Sequence, residues 1–345
     1  MTTIRRLPVA TISALFMALW AMSGAADRAS TAFAARIEAL SEPGGYFDTD
    51  NLMSNERSYL QVVPDLERAG VRGGAYLGVG PDQNFSYIAH VRPSIAFIVD
   101  IRRDNLLLHL LFKALFEQAH TRIDYLALLF GRPVPGNAAH WRIDPVERLV
   151  AYVDATAAQR ESAPAVRARL DAAIKGYGLP LTPQDMSTIA RFHDTFIAAG
   201  LDLRFASTGR PPQSHYPTYR DLLLAVDSLG RQGNFLASEE AFQFVKSLEG
   251  RNLVIPVVGD LAGPTALVKV GTLLKSRGEP LSAFYTSNVE FYLARAGTLD
   301  RFLVNLAGLP RLPRAVIIRS VFGRYNGGSA SVAENVGEVI AARAH

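Results

Sequence analysis

The chain has 345 residues, of which 49% are apolar and 20% are charged. This length and composition suffice for one large folded domain or two small ones, and they exclude a disordered, collagen-like or coiled-coil protein. The absence of cysteine excludes disulfides, thiolate metal sites and a cysteine nucleophile. The formal net charge is +4, and because the basic residues form no long run, the sequence indicates no nucleic-acid partner.

The first 26 residues differ in character from the rest of the chain. They contain Arg5 and Arg6, no acidic residue, and an apolar stretch over Ala14–Met22 that is followed by small residues. This order is typical of a secretory signal peptide. We therefore expect residues 1–26 to be a signal peptide and the protein to be exported or periplasmic. The alternatives are an uncleaved anchor, which would be the protein's only membrane contact, and a cytoplasmic protein with a misassigned start codon.

Six short runs in the rest of the chain predict β-strands. Most of them are apolar throughout, which is typical of strands that a parallel sheet buries on both faces. The six runs are Ala75–Val79, Ile95–Asp100, Leu201–Phe205, Leu253–Val258, Leu281–Tyr285 and Ala315–Ile318.

Helical patterns separate these runs. Pro264–Lys275 opens with proline and closes with basic residues, and Ser238–Leu248 has its apolar residues on one face. Alternating strands and helices predict an α/β fold with a doubly wound, mostly parallel, Rossmann-like sheet. We expect this domain to cover residues 45–325 and residues 326–345 to be a C-terminal tail.

One interval breaks the alternation. No strong strand pattern occurs between Asp100 and Leu201, where helical patterns follow one another. Since a βα unit needs only about 30 residues, we expect a helical insertion over residues 104–198, after the second strand. Such a cap either builds part of a substrate pocket or serves packing alone.

A glycine pair and an acidic residue indicate a nucleoside site. Gly78 and Gly80 lie at the end of the first predicted strand, where glycine lets the backbone approach a ligand closely. Asp100 follows 22 residues after Gly78, at the end of the second predicted strand. An acid in that position can accept hydrogen bonds from ribose hydroxyls. The alternative is a tight turn with a solvent-facing Asp100.

The loop after the glycines favours one cofactor over another. Gln83 stands where the dinucleotide fingerprint has its third glycine, and Pro81 and Asp82 are poorly suited to cradle phosphates. An acidic loop repels a pyrophosphate, whereas it tolerates a cationic sulfonium. We therefore expect S-adenosylmethionine rather than NAD.

Four segments carry a wider resemblance: Ser54–Glu56, Tyr76–Gly80, Gln83–Phe85 and Phe97–Asn105. They resemble an uncharacterised bacterial family that is similar to the Rossmann-type, class I S-adenosylmethionine-dependent methyltransferases. The likeness to proven methyltransferases covers mainly the first two strands. It implies that Gly78 and Gly80 form the glycine loop and that Asp100 binds the ribose. The candidate cofactor-binding residues are Asn55, Glu56, Gly78, Gly80, Asp82, Asn84, Phe85 and Asp100.

The resemblance also implies a catalytic position. Asp260, after the Leu253–Val258 run, matches the end of the fourth methyltransferase strand, which faces the methyl donor and the substrate. The Asn/Asp-Pro-Pro-Tyr/Phe motif of amino-group methylation is absent there. His215 is the second catalytic candidate, because the ordinary pKa of histidine suits a general base at neutral pH.

Three further residues are candidates for substrate binding. Arg102 follows Asp100 and could hold a carboxylate, or it forms a structural ion pair. Tyr216 lies in a loop rich in aromatic residues and proline, which either covers a ligand or connects two elements rigidly. Asn288 belongs to the segment Ser287–Glu290, which follows the fifth predicted strand and reaches the same sheet edge.

The remaining motif searches narrow the function to two hypotheses. The seven histidines are isolated, so we predict no metal, and no hydrolase elbow or phosphate-binding P-loop occurs. The first hypothesis is an S-adenosylmethionine-dependent methyltransferase whose substrate the sequence does not identify. The second is a non-catalytic exported protein that uses a methyltransferase-like fold to bind a ligand.

Overall fold

The computed structural model describes residues 29–136, 138–159, 163–208, 210, 213–322 and 329–342. The expected signal peptide, residues 1–26, lies outside this part of the chain. Within the described residues, the structure contains no helix with the length and apolar character that crossing a membrane requires.

Helices and strands alternate along much of the chain. The described helices are α1 (29–40), α2 (Val63–Arg68), α3 (Gln83–Val91), α4 (Arg103–Gln118), α5 (Arg122–Leu129), α6 (Ala138–Trp141), α7 (Val146–Ala155), α8 (Ala163–Gly176), α9 (Pro183–Ala199), α10 (Tyr219–Leu223), α11 (Glu239–Gly250), α12 (Ala266–Arg277), α13 (Val289–Arg295), α14 (Leu299–Gly308) and α15 (Val336–Ala342). The described strands are β1 (Ala75–Gly78), β2 (Ile95–Asp100), β3 (Val254–Val258), β4 (Leu281–Ser287), β5 (Arg311–Phe322) and β6 (Ser329–Asn335).

The strands form one sheet in the order β3-β2-β1-β4-β5-β6. The first five strands of this order pair in parallel, and β6 pairs with β5 in the antiparallel sense. The prediction of an α/β protein with a mostly parallel sheet is therefore confirmed. Pro256 is tolerated in β3 because this strand lies at the edge of the described sheet, where its one strand partner is β2.

The apolar runs form strands whose two faces are both covered by the rest of the protein. Strands β1 to β4 are buried along their lengths, apart from Asp100 and Ser287 at the carboxyl ends of β2 and β4. Phe85 on α3 packs edge-on against Phe112 and Phe116 of α4, with ring centroids 5.7 and 5.1 Å apart. Full burial of one such side chain contributes about 1.5–3 kcal/mol.

The segment between β2 and β3 contains α4 to α11. Helix α4 is the centre of this layer, and residues 106–116 of it are all buried. A helix that is apolar on every side needs partners all round, and α4 contacts α5, α8, α9, α11 and β3.

The structure corrects one predicted strand. Leu201–Phe205 does not join the sheet: residues Gly200–Asp202 form a 3-10 turn, and Arg204 makes only an isolated bridge to Thr218. The third strand along the chain is consequently β3, at the sheet edge. Asp260 therefore follows the third strand and not the fourth, while Asn288 follows the fourth strand and not the fifth.

The folded domain extends beyond both ends of the expected range, residues 45–325. Residues 329–342, which the sequence pattern assigns to a C-terminal tail, form β6 and α15. At the other end, Phe33, Ile37 and Leu40 of α1 are buried in the common core.

Candidate functional site

A cavity of about 390 Å³ opens at the carboxyl ends of β1 to β4. Residues that directly follow or end these strands line it: Val79 and Gly80, Asp100 to Arg102, Gly259 to Leu261, and Ser287 to Val289. In open α/β sheets, ligands bind at this edge, where successive strands are added to opposite sides. Here that point lies between β1 and β4, and both strands contribute to the wall.

Asn84 fixes the loop between β1 and α3. Its side-chain amide donates to the carbonyl oxygens of Val79 (2.8 Å) and Pro81 (2.7 Å), and its Oδ1 accepts from the Tyr76 hydroxyl at 2.8 Å. A Cβ on Gly78 would overlap Asn84 Oδ1. Asn84 and Gly78 therefore shape the loop from behind and are absent from the cavity wall.

Gly80 brings the backbone of this loop to the cavity. Its φ of +78° is a left-handed conformation that favours glycine. The buried His109 donates from Nε2 to the Gly80 carbonyl oxygen at 2.9 Å, and burial lowers the pKa of this histidine to about 4. A neutral imidazole thus holds the loop.

Asp82 and Phe85 face away from the cavity. The Asp82 carboxylate is buried and accepts a hydrogen bond from the Tyr219 hydroxyl at 2.5 Å. Burial raises the pKa of Asp82 to about 6, although the Tyr219 hydrogen bond opposes this rise. Phe85 lies in the aromatic cluster under the loop. Asp82 and Phe85, which the sequence predicts to bind the cofactor, therefore support the loop from the protein interior.

Asp100 lines the cavity and forms a buried ion pair with Arg102. Asp100 Oδ1 accepts from the backbone N–H and from Nε of Arg102, both at 3.0 Å, and Oδ2 accepts from Nη2 at 2.7 Å. Arg102 Nη1 donates to the carbonyl oxygens of Thr49 and Asp50, each at 2.9 Å. Four of the five guanidinium hydrogens are thus engaged, whereas Oδ2 keeps a free lone pair for a ligand.

Asn55 and Glu56 take different places. Asn55 lines the cavity, while Glu56 is buried behind it. The Ser287 hydroxyl donates to Glu56 Oε1, and the Tyr285 hydroxyl donates to Oε2 at 2.9 Å. Burial raises the pKa of Glu56, and hydrogen bonds from Ser287, Tyr285 and Ser320 oppose that rise. Among the described residues no ion pair neutralises this carboxylate.

Asp260 lies at the β3 side of the cavity. Its backbone N–H donates to Glu42 Oε1 at 2.9 Å, and its own Oδ1 accepts from the Ala262 N–H at 2.9 Å. One carboxylate oxygen of Asp260 therefore stabilises its own turn.

His215 and Tyr216 are absent from the cavity wall. His215 is exposed and lies against the Tyr216 ring, with centroids 4.4 Å apart. Tyr216 in turn packs edge-on against Phe205, which does line the cavity. The structure thus separates the two predicted catalytic residues, Asp260 and His215, whereas Asn288 lies on the wall.

Sequence reasoning missed an aromatic wall. Tyr46, Phe47 and Tyr292 line the cavity, and the rings of Phe47 and Tyr292 meet edge-on with centroids 4.9 Å apart. Tyr46 is 79% exposed and Tyr292 is 40% exposed. The aromatic pair directly after Gly44 and Gly45 was the available signal, because glycines followed by aromatic residues before a sheet are suited to a ligand-contacting loop.

The charges of the wall are few. Among the described residues that line the cavity, the charged ones are Asp100, Arg102 and Asp260. The single cation is already paired, so the wall has a net negative charge and no free cation for a phosphate or carboxylate. No cluster of three or more metal-ligating side chains occurs in the described part of the chain.

The model of one protein family, described as Domain of unknown function (DUF7790), matches residues 52–132 and 214–338, together more than half of the chain. The chain belongs to the DUF7790 family. The two matched segments contain every strand of the described sheet and most of the cavity wall. A search of the curated proteins found no match.

Proposed function

We propose that the cavity binds S-adenosylmethionine and that the protein is a methyltransferase acting on a small molecule. The observation that carries this proposal is the wall itself: a glycine loop after β1, a fixed acid at the end of β2, and no unpaired cation among the described lining residues. The volume of about 390 Å³ lies within the range of small-molecule sites.

The charge of the wall favours a sulfonium over a dinucleotide. Gln83, at the N-terminus of α3, lines the cavity and favours an anion. The net negative charge of the wall, however, repels a pyrophosphate and attracts a cationic ligand. Asp100 Oδ2 is available for a ribose hydroxyl because Arg102 leaves it one lone pair. Gly80 is the residue at which the loop backbone approaches the ligand.

The sheet supports a Rossmann-like, methyltransferase-type fold. Five parallel strands in the order β3-β2-β1-β4-β5 and a final antiparallel strand agree with a doubly wound sheet. We also propose a helical insertion, but with bounds moved from 104–198 to 133–213. The family match leaves out residues 133–213, which contain α6 to α9, so these residues are the part added to the family's common domain.

Methyl transfer depends mainly on orientation, so few obligatory side chains are needed. When bound, S-adenosylmethionine would supply an electrophilic methyl group. The end of β4 lies beside the β1 loop, so Ser287 and Asn288 are better placed than Asp260 to hold the acceptor. His215 is not needed in this arrangement.

A non-catalytic exported ligand-binding protein is the second candidate function. The absence of His215 from the cavity wall favours it, because one of the two candidate catalytic residues then does not reach a ligand held there. Export of residues 27–345 would also explain the signal-like segment 1–26. An exported protein would not meet S-adenosylmethionine, because that metabolite is cytoplasmic. N-terminal sequencing of protein from separated cell fractions decides whether that segment is removed.

Calorimetric titration of the full-length protein with S-adenosylmethionine, its demethylated product and NAD tests the proposal. We expect S-adenosylmethionine to bind at least about tenfold more tightly than NAD, a difference of about 1.4 kcal/mol. Asp100→Asn should weaken binding about tenfold or more, while Asp202→Asn, at a position 81% exposed, should leave it unchanged. Failure of both adenosyl compounds to bind would refute the proposal.

A further inference from the structure

Two features of the cavity remain without a role in holding an adenosyl ligand: the aromatic wall and the hydroxyl of Ser287. Tyr46, Phe47 and Tyr292 present ring surface at the mouth, and two of these rings are substantially exposed to solvent. Ser287 lies deeper, at the carboxyl end of β4, and also lines the cavity.

The direction of the Ser287 hydrogen bond determines what Ser287 offers a ligand. Its hydroxyl proton is donated to Glu56 Oε1. The same proton has a second, more distant acceptor in Asn288 Oδ1 at 3.4 Å. In either bond the oxygen acts as donor, so its lone pairs are left to accept a hydrogen bond from a ligand hydroxyl. A ligand group that can only accept hydrogen bonds cannot bond to this hydroxyl, because its single proton is already donated.

The surroundings of Glu56 keep it an acceptor. Hydroxyls of Ser287 and Tyr285 both donate to its carboxylate, and Ser320 adds a further hydrogen bond. The Tyr285 oxygen in turn accepts from Gln83 Nε2 at 3.3 Å, which orients the tyrosine proton toward Glu56. A carboxylate that is buried without a cation gains from receiving a proton, and Ser287 connects it to the cavity.

The backbone at Ser287 indicates that this placement is specific. Its φ of +54° is a left-handed conformation that is uncommon for serine. The turn from β4 to α13 thereby directs the hydroxyl toward Glu56, a residue 231 positions away in the chain. Strain of this kind persists where the surrounding structure holds it.

We infer that the cavity takes a flat, uncharged aromatic molecule bearing a hydroxyl, with its ring against Tyr46, Phe47 and Tyr292 and its hydroxyl donating to Ser287. The absence of an unpaired cation among the described lining residues disfavours a carboxylated or phosphorylated aromatic. The role of this molecule as methyl acceptor rests on the proposed function, whereas its binding does not.

Proton transfer through Ser287 would complete the transfer reaction. The acceptor oxygen forms a bond to the methyl carbon and gives its proton to Ser287 Oγ, while the Ser287 proton moves to Glu56. The sulfur–methyl bond breaks and its electron pair stays on sulfur, so the sulfonium becomes a neutral thioether. Glu56 ends protonated, and charge and atoms balance.

The test uses 2-naphthol and 2-methoxynaphthalene, which share a ring system and differ in the ability to donate a hydrogen bond. Their affinities for the full-length protein are measured by titration calorimetry at neutral pH. We expect 2-naphthol to bind at least about fivefold more tightly, which is the typical contribution of one hydrogen bond between neutral groups.

Two variants separate the contributions of the hydroxyl and of the wall. Ser287→Ala should reduce the preference for 2-naphthol to within about threefold. Phe47→Ala should weaken both compounds by a similar factor and leave the preference intact. If Ser287→Ala does not fold, the wild-type preference alone still decides the ligand class.

Equal binding of the two compounds, or no binding of either, would overturn the inference. A preference that survives in Ser287→Ala would overturn the role of Ser287. Neither result depends on adenosyl binding, so loss of the proposed methyltransferase function is recognised separately, by failure of S-adenosylmethionine to bind.

Discussion

Arg102 is the residue on which the geometry at the end of β2 most depends. It pairs with Asp100 while both side chains are nearly buried, at 7% and 11% exposure, and it also binds the backbone at Thr49 and Asp50. Arg102→Ala would leave a buried, unpaired carboxylate. We expect a loss of about 3–5 kcal/mol in the free energy of unfolding, measured by urea denaturation.

Arg68 provides the matched control. Its ion pair with Asp65 is 2.8 Å long, but both partners are more than half exposed. Arg68→Ala should therefore cost about 0–1 kcal/mol. Similar losses in the two variants would contradict the structural importance of the Asp100–Arg102 pair.

Asp82 makes stability depend on pH. Burial raises its pKa from 3.8 to about 6 in the folded protein, so the folded state holds the proton more tightly than the unfolded chain. The corresponding stability is present below pH 4 and is lost as the pH rises through about 6. Asp82→Asn keeps an acceptor for Tyr219. We therefore expect its free energy of unfolding, relative to that of the wild type, to rise by about 2–2.5 kcal/mol between pH 4 and pH 7.5.

The difference between variant and wild type is the quantity to measure, because other groups act in the opposite sense. The pKa of His109 is lowered to about 4, so this residue adds stability as the pH rises from about 4 to 6.5. Urea denaturation of both proteins at the two pH values cancels that contribution. A difference that does not change with pH would show that Asp82 is not buried as described, and Asp65→Asn is the surface control.

At the scale of elements, the loop between β1 and α3 depends on close contact between Gly78 and Asn84. A methyl group at position 78 would displace the Asn84 amide, which holds the loop carbonyls. We expect Gly78→Ala to lower the free energy of unfolding by about 1–3 kcal/mol and to weaken ligand binding, as thermal unfolding and calorimetry would measure.

Gly250, at the end of α11, is the control for that substitution. A Cβ there has no atom within 4 Å, so Gly250→Ala should change stability by no more than about 0.5 kcal/mol. An equally small effect of Gly78→Ala would contradict the described packing of the loop.

Apolar runs predicted most of the sheet because central parallel strands are buried on both faces. The same reasoning failed at Leu201–Phe205, whose alternating pattern is typical of a strand. Leu201, Leu203 and Phe205 are indeed buried, but Leu201 and Leu203 belong to the common core outside the sheet and Phe205 lines the cavity. Burial of alternate residues could be predicted from the sequence there, whereas the choice of partner could not.

Strand β6 was missed for the opposite reason. Its residues Ser329–Asn335 are mostly small or polar, and within the described sheet β6 pairs with β5 alone. Backbone pairing at a sheet edge needs little apolar side chain, so the pattern gave no signal. The sequence places Asp260 after a fourth strand instead of the third because Leu201–Phe205 is counted there as a strand.

At the scale of the whole molecule, local reasoning found the parts of the cavity that lie close together in sequence. Gly80, Asp100 and Arg102 were identified because each follows a recognisable strand. The Glu56–Ser287 contact and the Phe47–Tyr292 wall join residues more than 200 positions apart. Such contacts are fixed by the sheet order, which one sequence does not reveal.

The most direct test of the central proposal is an experimental structure of the protein with the demethylated product of S-adenosylmethionine. We predict that the adenosyl group lies in the cavity, with its ribose at Asp100 and its sulfur toward the carboxyl end of β4. A ligand bound elsewhere, or a cavity that stays empty at saturating concentration, would contradict the proposal.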